Sequence, residues 1–177
     1  MSSFLPQAVI REISQESSSA GRYLNPAKLT EETRLRFFGS GITGYEAWTE
    51  ANEPIRWEQK PEQLPANIKQ QPGRTPLKRF LAAVVYDYIS DDFKILQITQ
   101  RTLMDLLFKY MYDEEYGDPR NYDVKISKNG DGINTKYSLV AAPPKPVKPE
   151  LQARFDELTC DLTRLYDRED PFSSTSF

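Results

Sequence analysis

The stretch from Tyr122 to Pro144, YDVKISKNGDGINTKYSLVAAPP, constrains the fold more than any other part of the chain. Tyr122, Val124 and Ile126 alternate with Asp123, Lys125 and Ser127, the period-2 pattern of a strand with one buried face. Asn129-Gly130-Asp131-Gly132 then supplies residues that take positive φ at little steric cost. Ile133 to Val140 resumes with polar Asn134, Lys136 and Ser138 interleaved, so a β-hairpin is expected. Its aliphatic side chains fall on one face, and Lys125, Lys128 and Lys136 are expected close together on the other. Lysines beside tyrosines on a twisted hairpin suit a phosphate backbone and unstacked bases, although an ordinary solvated hairpin carries the same pattern.

Four strands and a helix are expected before this hairpin. Thr33 to Phe38 alternates cationic and apolar residues, and Gly39, Gly41 and Gly44 loosen or bulge that strand before Tyr45 and Trp48, as in small barrels where one strand serves two sheets. Pro54 to Lys60 reads as its partner. Pro61, Pro65, Pro72 and Pro76 mark a long surface loop, Phe80 to Ile89 is the most apolar strand, and Phe93 to Ile98 follows a turn at Ser90-Asp91-Asp92. Leu103, Leu106, Leu107, Tyr110 and Met111 form one stripe of a helix expected over Thr99 to Tyr116, with Thr99 as N-cap and Gly117 as its stop. The expected fold is mainly β with helices: an OB-fold-like small barrel with one internal helix and a C-terminal helix. A ferredoxin-like fold would need a second core helix before Phe80, and none is visible.

The chain has 177 residues with 38% hydrophobic content, enough for one core and too little for two full domains. Residues 1–22, rich in Ser and Gln, are expected to form a flexible arm, 23–146 the barrel, and 147–177 a proline linker, a C-terminal helix and an acidic tail. Leu151, Phe155, Leu158, Leu162 and Leu165 step by four and three along a helix expected over Glu150 to Tyr166, a seam too short to stand alone. It must dock on the barrel or pair in a homo-oligomer. Residues 149 to 177 hold seven acids against three arginines, so the body carries +1 of the −3 total. A basic binding surface and a separate acidic, partner-recruiting tail would produce this asymmetry.

Composition also excludes chemistry. With no histidine and one cysteine, Cys160, the chain cannot build a His/Cys zinc site, and Ser-His and Cys-His catalysis are ruled out. No phosphate-binding loop of the GxxxxGKS kind occurs. Its acid pairs, Asp91-Asp92 and Glu114-Glu115, fall at turns and helix ends where solvated charge is the ordinary state. Neither an enzyme nor a cofactor is expected. The start of the chain lacks the order of a secretory signal, and no apolar run reaches the length of a membrane span, so a cytoplasmic protein is expected.

The blocks Pro54-Ile55-Arg56-Trp57, Phe80 to Tyr88, Ile95 to Gln100, Gly117 to Ile126, Gly132 to Tyr137 and Pro143, in this order, resemble phage-type single-stranded DNA-binding proteins. Those are the OB-fold replication and recombination proteins of T4-like and related phages. The resemblance covers residues 33 to 146 and implies an OB-fold, binding of single-stranded DNA, and a role in replication, recombination or repair. The T4-type member carries a zinc subdomain whose ligands this chain cannot supply. Asp167, Asp170, Phe172 and the terminal Phe177 resemble the acidic, Phe-bearing tails by which bacterial single-stranded DNA-binding proteins recruit replication partners.

Two function classes follow. In one, the barrel binds single-stranded DNA without strong sequence preference. Arg34, Arg36, Arg56, Lys60, Arg74, Lys78, Lys125, Lys128 and Lys136 neutralise phosphates, while Tyr45, Trp48 and Tyr88 are placed to stack bases. In the other, the barrel is a protein-interaction adaptor of a replication or phage complex and touches no nucleic acid, a reading favoured by the near-neutral body.

Overall fold

The computed structural model describes residues 22–172; the expected N-terminal arm, apart from Arg22, and Phe177 lie outside the described residues. One strand organises the rest. β2 (Thr33–Trp48) runs sixteen residues, long enough to serve different neighbours at its two ends. Along one edge it pairs antiparallel with β4 (Lys78–Asp87), and the register slips between Phe38 and Ile42. That is the bulge expected at the glycines, and it bends the strand. On the other edge, Thr33 to Arg36 pair with β6 (Asp123–Asn129), while Tyr45 to Trp48 pair with β3 (Pro54–Trp57).

β4 continues to β5 (Asp92–Ile98), and β6 turns into β7 (Lys136–Ala141). The two-residue β1 (Tyr23–Leu24) adds parallel to β5, so the sheet order is β1-β5-β4-β2-β6-β7 with β3 beside β2. Apart from the short β1 and β3, five strands remain, with a helix between the third and fourth. This is the connectivity of a partly open, five-stranded Greek-key barrel. The protein is mainly β, with a strongly curled half-barrel sheet and few helices.

The concave side holds the larger core. Leu35 and Phe37 of β2, Val85 of β4, Leu96 and Ile98 of β5, Val124 and Ile126 of β6 and Leu139 of β7 are buried together with Tyr122. The alternation of the hairpin's first strand resolves as expected through Ile126, but Val140 on the second is exposed on the outer face beside Lys125. The turn is also wider: a 3-10 turn at Gly132–Asn134 precedes the second strand, and Ile133 is exposed rather than part of it. Helix α1 (Arg101–Met111) closes this core with Leu103, Met104 and Leu107. It is shorter than Thr99 to Tyr116. Gln100, not Thr99, stands at its N-cap, and Met111 at its end is exposed.

The convex face of β2, β4 and β5 has a second core. Phe38, Phe80, Val84, Tyr86, Phe93 and Ile95 point outward by strand alternation and are buried under residues 147–172. Helix α2 (Pro149–Asp156) contributes Leu151 and Phe155, and a 3-10 turn at Leu162–Asp167 contributes Leu162 and Leu165. The seam therefore docks on the barrel, as one of the two readings held, but it is not a continuous helix. The chain breaks after Glu157, and Asp161 caps the next turn by accepting from the Thr163 amide at 3.0 Å. No helix among the described residues is long and apolar enough to cross a membrane.

Candidate nucleic-acid interface

The connection between β2 and β4, residues 49 to 77, builds a cationic concavity from local rules. Ile68 is an isolated aliphatic in a polar, proline-rich run; it is buried, and it pins the loop to the end of β2. The Lys69 amide donates to the Trp48 carbonyl at 2.8 Å, and the Glu50 amide to the Asn67 carbonyl at 2.9 Å. Lys69 is thereby set beside Trp48. Gln71-Pro72-Gly73-Arg74 then reverses the chain, with Gly73 at φ +72° and the Arg74 amide donating to the Gln71 carbonyl at 3.2 Å. Proline second and glycine third is the type II turn pattern, which needs positive φ at its third residue. It presents Arg74 toward Lys78 at the start of β4.

The result is a cavity of about 200 Å3 lined by Trp48, Asn52, Lys69, Gln71, Arg74 and Lys78 among others. A second of about 560 Å3 shares Trp48 and Lys78 and extends the trough past Arg56, Gln97 and Gln100 to Lys28. The two hold five cations against one carboxylate, Glu46. Trp48 is 46% exposed, and its indole N–H donates to Glu46 Oε1 at 3.1 Å. That bond fixes the ring while leaving a face to solvent. An indole face among cations can stack an unpaired base while the cations hold its phosphates.

The sequence-based site divides. Trp48, Arg74 and Lys78 come together in the trough. Arg56 lines it too, but its guanidinium is bound to Glu46 Oε2 at 2.9 Å and to Gln97 Oε1, so it orders the wall and is not a free phosphate ligand. Lys60 is exposed on the segment after β3, outside the trough lining. Tyr45 is a correction: alternation turns it to the opposite face from Trp48, and Arg79 covers its ring at 4.9 Å. Lys69 and Lys28, not selected from the sequence, complete the trough; the lone Ile68 in a polar loop was the signal for Lys69.

The hairpin lysines do not form one cluster. Lys125 and Lys136 lie on the convex side, whereas Lys128 shares the inward parity of Val124 and Ile126 and donates to the Ala27 carbonyl at 2.9 Å. Arg36 is a further correction. It is buried, and each of its three guanidinium nitrogens is engaged, with the Arg120 carbonyl, Asp123 Oδ1 and the Lys145 carbonyl, so it is tied into the frame and is not an exposed phosphate ligand. Arg34 pairs with Asp123 Oδ2 at 2.7 Å, and Tyr88 donates to Asp123 Oδ1 at 2.9 Å. Burial raises the Asp123 carboxyl, but the hydrogen bonds from Arg34, Tyr88 and Arg36 together with the charge of Arg34 outweigh it and hold the group below its ordinary value. Burial and the bond to Asp123 push the Tyr88 hydroxyl up to about 12, so it remains a donor.

Among the expected partner-binding residues, Asp167 is exposed, and the Asp170 side chain accepts from the Phe172 amide at 2.9 Å. Phe172 is buried under the Arg22 guanidinium, 4.5 Å from its ring centroid. It is therefore part of the convex core and not available to a partner while docked. Burial raises the Cys160 thiol to about 11. Among the described residues, no group of three or more His, Cys, Asp or Glu could hold a metal ion. The chain matches no protein-family model, no curated protein and no solved structure.

Proposed function

We propose that the protein binds single-stranded DNA, largely without regard to sequence, in the trough between the β2–β4 connection and the end of β2. Trp48 stacks a base, and Lys69, Arg74, Lys78 and Lys28 neutralise the flanking phosphates. The observation that carries this reading is the half-exposed Trp48 indole fixed among Lys28, Lys69, Arg74 and Lys78, which form no ion pair among the described residues. Its place supports it as well: in five-stranded barrels of this connectivity, the loop joining the first two strands is one of the elements that grips oligonucleotides. With the resemblance to phage-type proteins, this makes replication, recombination or repair the setting, and the cytoplasm of a cell or an infected host the compartment.

One observation favours the adaptor reading. The convex face of the second and third barrel strands also binds oligonucleotides in such folds, and here residues 149 to 172 cover it. The base-stacking contact of a strand bound by this protein therefore lies in the trough, not on that covered face. Trp48→Ala separates the two readings. On the DNA-binding reading it removes one stacked base and weakens oligo-dT binding by about 1–3 kcal/mol, roughly 5- to 150-fold. Trp48→Phe recovers part of that loss. Unchanged affinity in a folded Trp48→Ala protein sinks the trough.

A further inference from the structure

The charges around Asp123 do not balance. Its fully buried carboxylate faces Arg34 Nη2 at 2.7 Å, Arg36 Nη1 at 3.3 Å and Lys145 Nζ at 3.7 Å. A single carboxylate compensates the one cation that is itself buried, Arg36, as a buried ion needs. Arg34 and Lys145 retain 37% and 54% side-chain exposure, so among the described residues the three cations exceed the one carboxylate they share by two charges, and the excess lies toward the exposed side. Nearby Arg154 is already matched by Asp91 at 2.8 Å.

Lys145, with Arg36 behind it, lines a cavity of about 290 Å3 between the convex sheet and the proline segment, whose wall also includes Tyr86, Tyr88, Lys148 and Arg154. Glu150 in the same lining offsets Lys148, so the excess stays positive. The wall is rigid. Four prolines lie between residues 143 and 149, the Lys145 amide donates to the Asn121 carbonyl at 3.0 Å, and the Lys145 carbonyl accepts from Arg36 at 2.7 Å. The buried arginine that draws charge to the site also fixes the backbone of its lysine. A concave, positively charged site with low-dielectric walls concentrates field on an anion.

We propose that this cavity is a phosphate-binding pocket. Lys145 and Lys148 donate to the phosphate oxygens, the uncompensated charge of the Arg34, Arg36 and Asp123 cluster lies behind them, and the exposed Tyr88 ring borders whatever the phosphate carries. A terminal phosphate and a bridging phosphodiester present the same oxygens. The pocket is assigned from the Asp123 cluster and does not depend on the Trp48 trough.

Amide chemical shifts of the full chain, titrated with inorganic phosphate against chloride at equal ionic strength, test it. Saturable shifts are expected at Tyr88, Lys145, Lys148 and Leu151. The Lys145→Ala, Lys148→Ala double variant, whose two side chains are exposed and which keeps both backbone hydrogen bonds of residue 145 while losing only the 3.7 Å contact of Lys145 Nζ with Asp123, is expected to bind phosphate about tenfold more weakly or worse. Absence of saturable shifts, or unchanged phosphate affinity in the folded double variant, would overturn the pocket. Oligo-dT with and without a 5′ phosphate, titrated into Trp48→Ala protein, identifies the source. Preference for the phosphorylated strand, lost in the double variant, assigns a terminal phosphate. Equal affinities, both lowered by the double variant, assign the backbone, and oligomers indifferent to it assign free phosphate.

Discussion

Arg36 shows how a side chain that looks like a ligand in sequence becomes part of the frame. The alternation of Arg34 and Arg36 with Leu35 and Phe37 marks two cations opposite an apolar face, and both do point away from the concave core. Their partner, Asp123, lies on β6 opposite Arg36, and no local pattern reveals that pairing. Asp123→Asn leaves Arg36 buried without its counter-ion and is expected to cost about 3–5 kcal/mol in chemical denaturation. The loss has a pH signature. Because the folded carboxyl lies below its ordinary 3.8, its contribution is complete well above that value and is lost as the pH falls through the lower folded value. The stability gap between wild type and Asp123→Asn should therefore narrow on acidification below about pH 4. A gap that stays constant into strong acid contradicts the ion-pair account.

Among the elements, β2 was the most legible and the C-terminal seam the least. The glycines of β2 announced a bulge in a strand shared between two sets of neighbours, and the register slip falls among them. Gly44 has the tightest requirement: an added Cβ would collide with the Trp57 carbonyl oxygen and sit 3.0 Å from the Phe80 ring. Gly44→Ala is expected to push β3 from β2 and cost about 1–3 kcal/mol, as overpacking does, measured by thermal or denaturant unfolding. A neutral result would mean that β3 is free to move. The seam from Leu151 to Leu165 misled because spacing of three and four says only that residues share a side. A broken helix followed by a 3-10 turn delivers the same leucines to the same face. The trough was half legible: Trp48, Arg74 and Lys78 stood out by type, but the pin at Ile68 that gathers them with Lys69 is a tertiary contact.

At the scale of the whole molecule, the acidic tail and the barrel are one body across the described residues. Leu151, Phe155, Leu162, Leu165 and Phe172 cover the convex aromatic face, and burying five such side chains stabilises by something on the order of 10 kcal/mol. That is comparable to the entire stability of a domain this size. Truncation after Ala142 is therefore expected to abolish the cooperative melt or cause aggregation through the exposed face; a stable, monomeric truncated barrel would show that the cover is dispensable. The central claim, that the barrel holds a single strand in the Trp48 trough, is tested most directly by titrating the full chain with labelled oligo-dT and with duplex of equal length at low and moderate salt. The account predicts tighter binding to the single strand, falling steeply with salt as phosphate contacts release counterions. Equal affinity for the two forms, or no binding to either, would contradict it.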